Sequence, residues 1–404
     1  MDVTRENFGK ALAKFTQAVA ECDFAALDME MTGLYEAREH QPNRLDTREQ
    51  RYQKLKRSVE AYGVIQVGIC LFTWTTKDGT GFYEAQPFNF NVFPASNVGG
   101  VSVDDHFGCK ASAFEFLAKN AFDFNKWIYQ GIPFLRGDTA ERIRSERTLL
   151  LTSRQRSMAP DDCHSDFVVQ FEAALAKFMA SADKTLRYDA ANTYERKLIY
   201  DMVRIHDTLG TRSRVGCIEI FKGSRKAMQR HIGNKVQQFS ACVDEARGFT
   251  DVIERLSAAR KPVVGHNMLL DVLHAYSKFV AQLPPTFAEF ERAVAGFLPA
   301  LIDTKFIIES TPGIKARYGT SNLDEIAPLL ERDCAGPIRF HPHFHRNVSH
   351  NMHEAGFDAY MTGSTFVRLL NLGSGGLDRA PELVLYRYLN KLYASTAEGI
   401  SLNL

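Results

Sequence analysis

The chain has 404 residues, 45% of them hydrophobic, and its 49 basic side chains nearly balance 48 acidic ones. That composition belongs to a soluble globular protein of two or three domain-sized units and excludes a disordered or fibrous chain. A net charge of +1 excludes nucleic-acid binding by global attraction, so any such role rests on local basic patches.

In chain order, Phe8, Leu12, Phe15 and Val19 recur at helical spacing and predict a helix over 4–21 with Thr4 as its cap. "FAALDMEMTG" (24–33) then reads as a buried strand that carries two carboxylates. Successive strand side chains point to opposite faces, so Asp28 and Glu30 share one face while Leu27 and Met29 share the other. Two acids that close repel each other and resist burial. "REQRYQKLKRSVEAY" (48–62) predicts a charged surface helix. "VIQVGICLF" (64–72) and "FNFNVFP" (88–94) predict strands linked by the turn signal "TKDGTG", and a helix is expected near 111–121.

The stretch 161–247 breaks this rhythm. It opens with the amphipathic "DFVVQFEAALAKFM", and from Glu195 to Lys235 it holds ten Lys/Arg against four Asp/Glu. A positive excess confined to one insert, with Tyr and Phe interleaved, suits a surface that follows phosphates. Beyond it, "PVVGHN" predicts a short strand running into the helical "MLLDVLHAYSKFVAQL". "ALIDTKFIIES" reads as another strand and "EAGFDAYMTGSTFVRLLNL" as another helix. The alternation predicts an α/β fold, a mixed central sheet with flanking helices. Residues 1–160 and 248–404 form one discontinuous domain around a small inserted α+β domain at 161–247.

Seven cysteines (22, 70, 109, 163, 217, 242 and 334) are scattered, odd in number and without a C-x-x-C pair. They read as reduced thiols of an intracellular protein. No apolar run approaches the roughly 18 residues of a membrane helix. The five histidines of "RFHPHFHRNVSHNMH" alternate with Pro and aromatics and lack a cysteine partner, which predicts an ordered loop and not a zinc site.

More acids complete the pattern. "GHNMLLD" places Asp271 on the helix after a short strand, and "HEAGFD" sets His353 five residues before Asp358. On one regular helix that gap turns the side chains about 140° apart. They converge if His353 lies in the lead-in, Asp358 lies within the helix, and Gly356 eases the bend. Asp-x-Glu on a strand, Asp on a second element, then His-x4-Asp is the order of the DEDDh class of 3′ exonucleases. Phosphodiester hydrolysis needs a hydroxide near neutral pH and cations to hold attacking and leaving oxygens in line, which two divalent ions about 3.5–4 Å apart supply. Mg²⁺ prefers carboxylate oxygens, and Mn²⁺ can substitute. Asp28, Glu30, Asp271 and Asp358 are the expected ligands. His353 is the expected acceptor of the proton from the attacking water.

At these residues the chain resembles the poly(A)-specific ribonuclease family, the PARN-type deadenylases and their small-RNA-trimming relatives. Besides "LDMEMTG", the matching segments are "RYQKLK", "VGICLF", "NFNVFP", "DFNKWIYQGIPFL", "PVVGHNMLLDV", "LIDTKF" and "HEAGFDAYMTG", with "NKLYASTAEGISLNL" similar to the end of the nuclease domain. The resemblance implies an RNase H-like exonuclease fold. It implies a Mg²⁺-dependent 3′-to-5′ exoribonuclease that acts on single-stranded RNA 3′ ends and releases 5′-mononucleotides, with poly(A) as substrate. Trimming of small non-coding RNA, or a catalytically decayed RNA-binding scaffold, are the alternatives. It puts an active-site lysine near the RNA backbone at Lys305, and RNA contacts at Met31 and Asn267; relatives often carry Phe where Met31 stands. It implies a homodimer in the nucleus or cytoplasm. The family's inserted nucleic-acid-binding domain is named for an arginine and a histidine with three residues between them. "YERKLIYDMV" resembles part of it, yet the only such pairs here, Arg339 with His343 and Arg346 with His350, lie outside the insert. A divergent version is expected. Many relatives add an RRM, and some trimming relatives a membrane anchor; neither is expected in this chain.

Overall fold

The structure, a computed structural model, describes the chain except residues 104–105, 157, 160, 335–337, 345–352, 375–386, 395–399 and 403–404. Arg346, His350 and much of the C-terminal "NKLYASTAEGISLNL" therefore lie outside the described residues. The chain divides into two compact units. One comprises Met1–Asn97, Ser102–Thr139 and Glu245–Leu404, and the other Val98–Val101 and Ala140–Asp244.

The first unit is built from α1 (Phe8–Glu21), β1 (Phe24–Met31), α2 (Arg48–Ala61), β2 (Val64–Lys77), β3 (Thr80–Pro94) and α3 (Ala111–Lys119). α1 begins four residues later than its periodicity predicts, because Asn7 and not Thr4 occupies the cap. α2 has a full capping box from Thr47 and Gln50. It is the charged surface helix expected, with Arg48, Glu49, Arg57 and Glu60 exposed, and it docks through a stripe of Tyr52, Leu55 and Val59 buried in the core. The β2–β3 hairpin closes on Asp78 and Gly79, both at positive φ, as a tight two-residue turn requires.

The second unit follows, with α4 (Gly137–Thr152), α5 (Ser165–Ala180), β4 (Thr185–Asp189), α6 (Thr193–Arg204), β5 (Leu209–Ser213), β6 (Cys217–Lys222) and α7 (Arg225–Arg247). Its antiparallel sheet runs β4-β6-β5 and packs α5 and α6 through Phe171, Leu175, Ile199, Met202, Ile218 and Ile220. The charge-rich stretch from Glu195 to Lys235 lies within this unit.

The chain then returns to the first unit with β7 (Val263–Gly265), α8 (Leu269–Ala275), β8 (Leu301–Asp303), α9 (Thr304–Ser310), α10 (Leu323–Asp333), α11 (Ala355–Ser374), β9 (Lys391–Leu392) and β10 (Ile400–Ser401). The expected strand "ALIDTKFIIES" is a strand only as far as Asp303. The strand preference of Phe306, Ile307 and Ile308 is overridden because the Asp303 carboxylate caps the helix that starts at Thr304. The main sheet contains the order β3-β2-β1-β7-β8-β9-β10. β1, β2 and β3 pair antiparallel, while β1, β7 and β8 pair parallel. Three antiparallel strands followed by two parallel ones, with the first strand at the centre, is the RNase H-like arrangement the motifs imply.

β1 separates two apolar clusters. Ala25, Leu27 and Met29 join α1, α2 and α8 on one face, while Phe24 and Ala26 join α10 and α11 on the other. Asp28 and Glu30 continue the second alternation past the point where the apolar residues stop. No helix among the described residues is long and apolar enough to cross a membrane.

Candidate active site

Asp28 and Glu30 are half-buried at the carboxyl end of β1, on the face that α11 covers. What brings Asp358 to them is a missing side chain. Gly68 on β2 is the register partner of Asp28, and a Cβ there would stand 1.8 Å from the Ala355 carbonyl oxygen. The first turn of α11 can therefore lie directly on the sheet. Two of its otherwise unpaired N–H groups are met by strand side chains: Ala355 donates to Gln66 Oε1 and Gly356 to Asn89 Oδ1, each at 3.0 Å. Gly356 does not make the bend expected of it. It sits inside α11 pressed on Asn89, and the turn falls at His353, which adopts φ +71.

In this arrangement, carboxylate oxygens of Asp28, Glu30 and Asp358 lie within 4.8 Å of one another. Asp271 arrives differently. It stands at the start of α8, after β7, which pairs with β1 only as far as Ala26; it lies outside the 4.8 Å group, yet its charge acts on both Asp28 and Glu30. Electrostatics records the crowding. Asp28 is held well above the ordinary carboxylate range by burial, then by Asp358, Asp271, Glu30 and Asp324. Glu30 is pushed to about 8 by burial and by Asp358 and Asp271. Asp271 reaches about 8 through burial, with Asp303 adding to it. Asp358 reaches about 7 through burial and Asp324, although the His353 main-chain N–H pulls it back.

These residues fit a divalent metal. The donors are all hard oxygens, Asp358 Oδ1 is buried without a hydrogen-bond partner, and a dication would offset the burial and the repulsion that raise these pKa values.

The remaining expected residues are placed unequally. The His353 imidazole stands edge-on to Phe116 of α3, ring centroids 4.7 Å apart, while its backbone serves Asp358. Lys305 lies over the Tyr393 ring with Nζ 5.1 Å from its centroid. Asn267 is exposed at φ +61 and uses its backbone N–H to bond Asp303. Met31 is buried in the same apolar core as Leu27 and Met29, apart from the acids.

Sequence reasoning missed three residues. Gly68 hides in the apolar run "VGICLF". Asp324, exposed in the first turn of α10, is a fifth acid acting on Asp28 and Asp358. Asp303 of "LIDTK" is the third: its fully buried carboxylate accepts the backbone N–H groups of Asn267, Met268, Lys305, Phe306 and Tyr393 at 2.9–3.3 Å. It ties β8, α9, the turn before α8 and the segment after β9 into one knot behind Asp271 and Lys305. An aspartate at a strand-to-helix junction was the available signal. Asp303→Asn turns an amide N–H₂ toward those donors and is expected to destabilise the chain by roughly 2–4 kcal/mol in urea unfolding. An unchanged midpoint would refute the knot.

A second expectation concerns the close approach. Gly68→Ala must lift the first turn of α11 off β2, and with it Asp358. A displacement of about 1 Å at a reacting centre costs on the order of 10²-fold in rate. The variant is expected to keep its far-UV circular dichroism while its turnover falls by that order.

A family model described as CAF1 family ribonuclease matches residues 3–366. Poly(A)-specific ribonuclease PARN of Xenopus laevis is 31% identical over 402 residues, which cover 93% of this chain and 63% of that protein. The pre-piRNA 3′-exonuclease trimmer of Bombyx mori is 27% identical over 390 residues, 91% of this chain and 71% of that one. The chain thus spans somewhat less than two thirds of the PARN relative. Among solved structures, Pop2p of S. pombe in its Mg²⁺- and Mn²⁺-bound form covers 97% of this chain and 98% of its own, at 16% identity and a TM-score of 0.47.

Proposed function

The chain belongs to the CAF1 family of ribonucleases, and from that premise we propose that it is a divalent-metal-dependent 3′-to-5′ exoribonuclease that shortens single-stranded RNA, poly(A) foremost, and releases 5′-mononucleotides. The observation that carries this reading is the convergence of Asp28, Glu30 and Asp358 from two elements, with Asp271 close enough to act on both strand acids. No structural purpose explains it, since each acid raises the cost of the others.

Asp28, Glu30, Asp271 and Asp358 would hold Mg²⁺ or Mn²⁺. Such ions ease the ionisation of water and neutralise charge developing on the phosphate. The chain's own residues do the rest. His353, braced against Phe116 at the entrance to α11, takes the proton of the attacking water. Lys305, beside the same end of the sheet, offers its ammonium to a backbone phosphate, and the Tyr393 ring beneath it limits its rotamers. Single-strand preference follows because a terminal nucleotide must leave its stack to reach half-buried acids.

The deciding experiment presents oligo(A), oligo(U), oligo(C) and DNA, each 5′-labelled, at one salt concentration with Mg²⁺ or chelator. Stepwise shortening is expected, fastest on oligo(A) and absent with chelator. Internal cuts, or equal rates with chelator, would overturn the reading. The Bombyx relative favours one variant of it, trimming of small RNA 3′ ends, and a tailless small RNA shortened faster than oligo(A) would select that variant. Pairing of two chains in the nucleus or cytoplasm belongs to the same proposal, and sedimentation at two concentrations tests the pairing.

A further inference from the structure

The second unit contains a cavity of about 650 Å³, walled by α4, α6, β5 and α7 and lined only by residues of that unit. The nuclease reading makes no use of it. Leu150 and Phe239 give it apolar walls, and Tyr200 offers a ring. Six basic side chains line the same space, among them Arg147 from α4 and Lys235 from α7.

Their surroundings are unusual. The Lys235 ammonium donates to the Thr211 carbonyl at 3.1 Å. Burial depresses its pKa, and Arg147 depresses it further. Arg147 lies over the Phe239 ring, 5.7 Å from its centroid, and its Nε is buried with no hydrogen-bond partner. The cavity has one lining carboxylate, Asp201, and Arg204 already engages it. Arg212 is likewise engaged by Glu219, but among the described residues no carboxylate pairs with Arg147 or Lys235. Burying two like charges together without a counterion is costly, and a bound anion would relieve that cost at once.

The chemistry of the anion follows from the walls. Two cations with an open guanidinium donor match a phosphate monoester dianion better than a carboxylate. The apolar surface beside them needs an organic body, and pockets of roughly 300–1,000 Å³ take small molecules. The geometry points to a binding site for a small organic phosphate of nucleotide size, its phosphoryl group between Arg147 and Lys235 and its body against Leu150 and Phe239. The site is separate from the carboxylates and does not depend on the nuclease reading.

The test is thermal unfolding of the whole chain in chelator, with adenosine 5′-monophosphate, adenosine or inorganic phosphate. The monophosphate is expected to raise the melting temperature at concentrations about tenfold below those inorganic phosphate needs. Adenosine alone is expected to give no shift. The shift should vanish in the Arg147→Met/Lys235→Met double variant and survive in Asp28→Asn. The ligand-free double variant should melt higher than the parent, because the repulsion is gone, which also shows that it folds. Should it fail to fold, Lys235→Met alone is expected to weaken the response at least about tenfold. No shift with the monophosphate, an equal shift with adenosine, or a shift that persists without both cations would overturn the proposal. So would a shift lost in Asp28→Asn, which would assign the ligand to the acids.

Discussion

Asp28→Asn is expected to slow RNA shortening on the order of 10³-fold or more, about 4 kcal/mol or more of transition-state stabilisation. Asparagine fills the same volume and keeps one acceptor oxygen, so the strand and its register with Gly68 are preserved. What is lost is one of three charges whose oxygens lie within 4.8 Å. A hard dication held by fewer anionic oxygens binds more weakly and neutralises the phosphate less well. The same change should raise the melting temperature of the metal-free protein, because Asp28 contributes to the repulsion within the group. Lower activity together with higher metal-free stability separates a ligand from a structural residue. Wild-type turnover in this variant, in Mg²⁺ with labelled oligo(A), would remove Asp28 from the site.

The second large effect is on stability against pH, with and without metal. Glu30 and Asp271 reach about 8 and Asp358 about 7 in the folded chain, against ordinary values near 4 in the unfolded one. Between those limits the folded state binds more protons than the unfolded state, so stability falls as pH rises. Metal-free protein is therefore expected to melt higher at pH 5 than at pH 8, by an amount on the order of several kcal/mol for the group. Mg²⁺ should reverse the order, since it binds the ionised acids and releases their protons. Chelator titrations followed by calorimetry at the two pH values check both signs. A metal-free protein more stable at pH 8 would mean that the acids do not crowd one another as the structure has them.

Much of the site was legible in the sequence because it resides in identity and order. Asp28 and Glu30 share a face through the period of the strand alone. The DG turn, the strands it joins and the helix that begins within "HEAG" could be read from local chemistry. Gly68 could not be, since a glycine within an apolar run means something only when the element that presses on it is known. Asp303 was passed over for a related reason: its five N–H donors come from three separate segments. Met31 failed in the opposite direction. The motif set it beside the acids, but the alternation of β1 puts it in the core with Leu27 and Met29.

By itself, the sequence determined which side chains are available for the chemistry, the elements that carry most of them and the family those motifs resemble, because these depend on residue type and short spacing. Only the tertiary structure decided that α11 may lie on β2 at Gly68, that Asp271 comes within electrostatic reach of both strand acids, and that Arg147 and Lys235 line one cavity with no carboxylate paired to either. Each of these is a meeting of groups far apart in the chain. Such meetings depend on how closely two backbones can approach and on which polar groups are left unpaired when they do, and no local pattern encodes that.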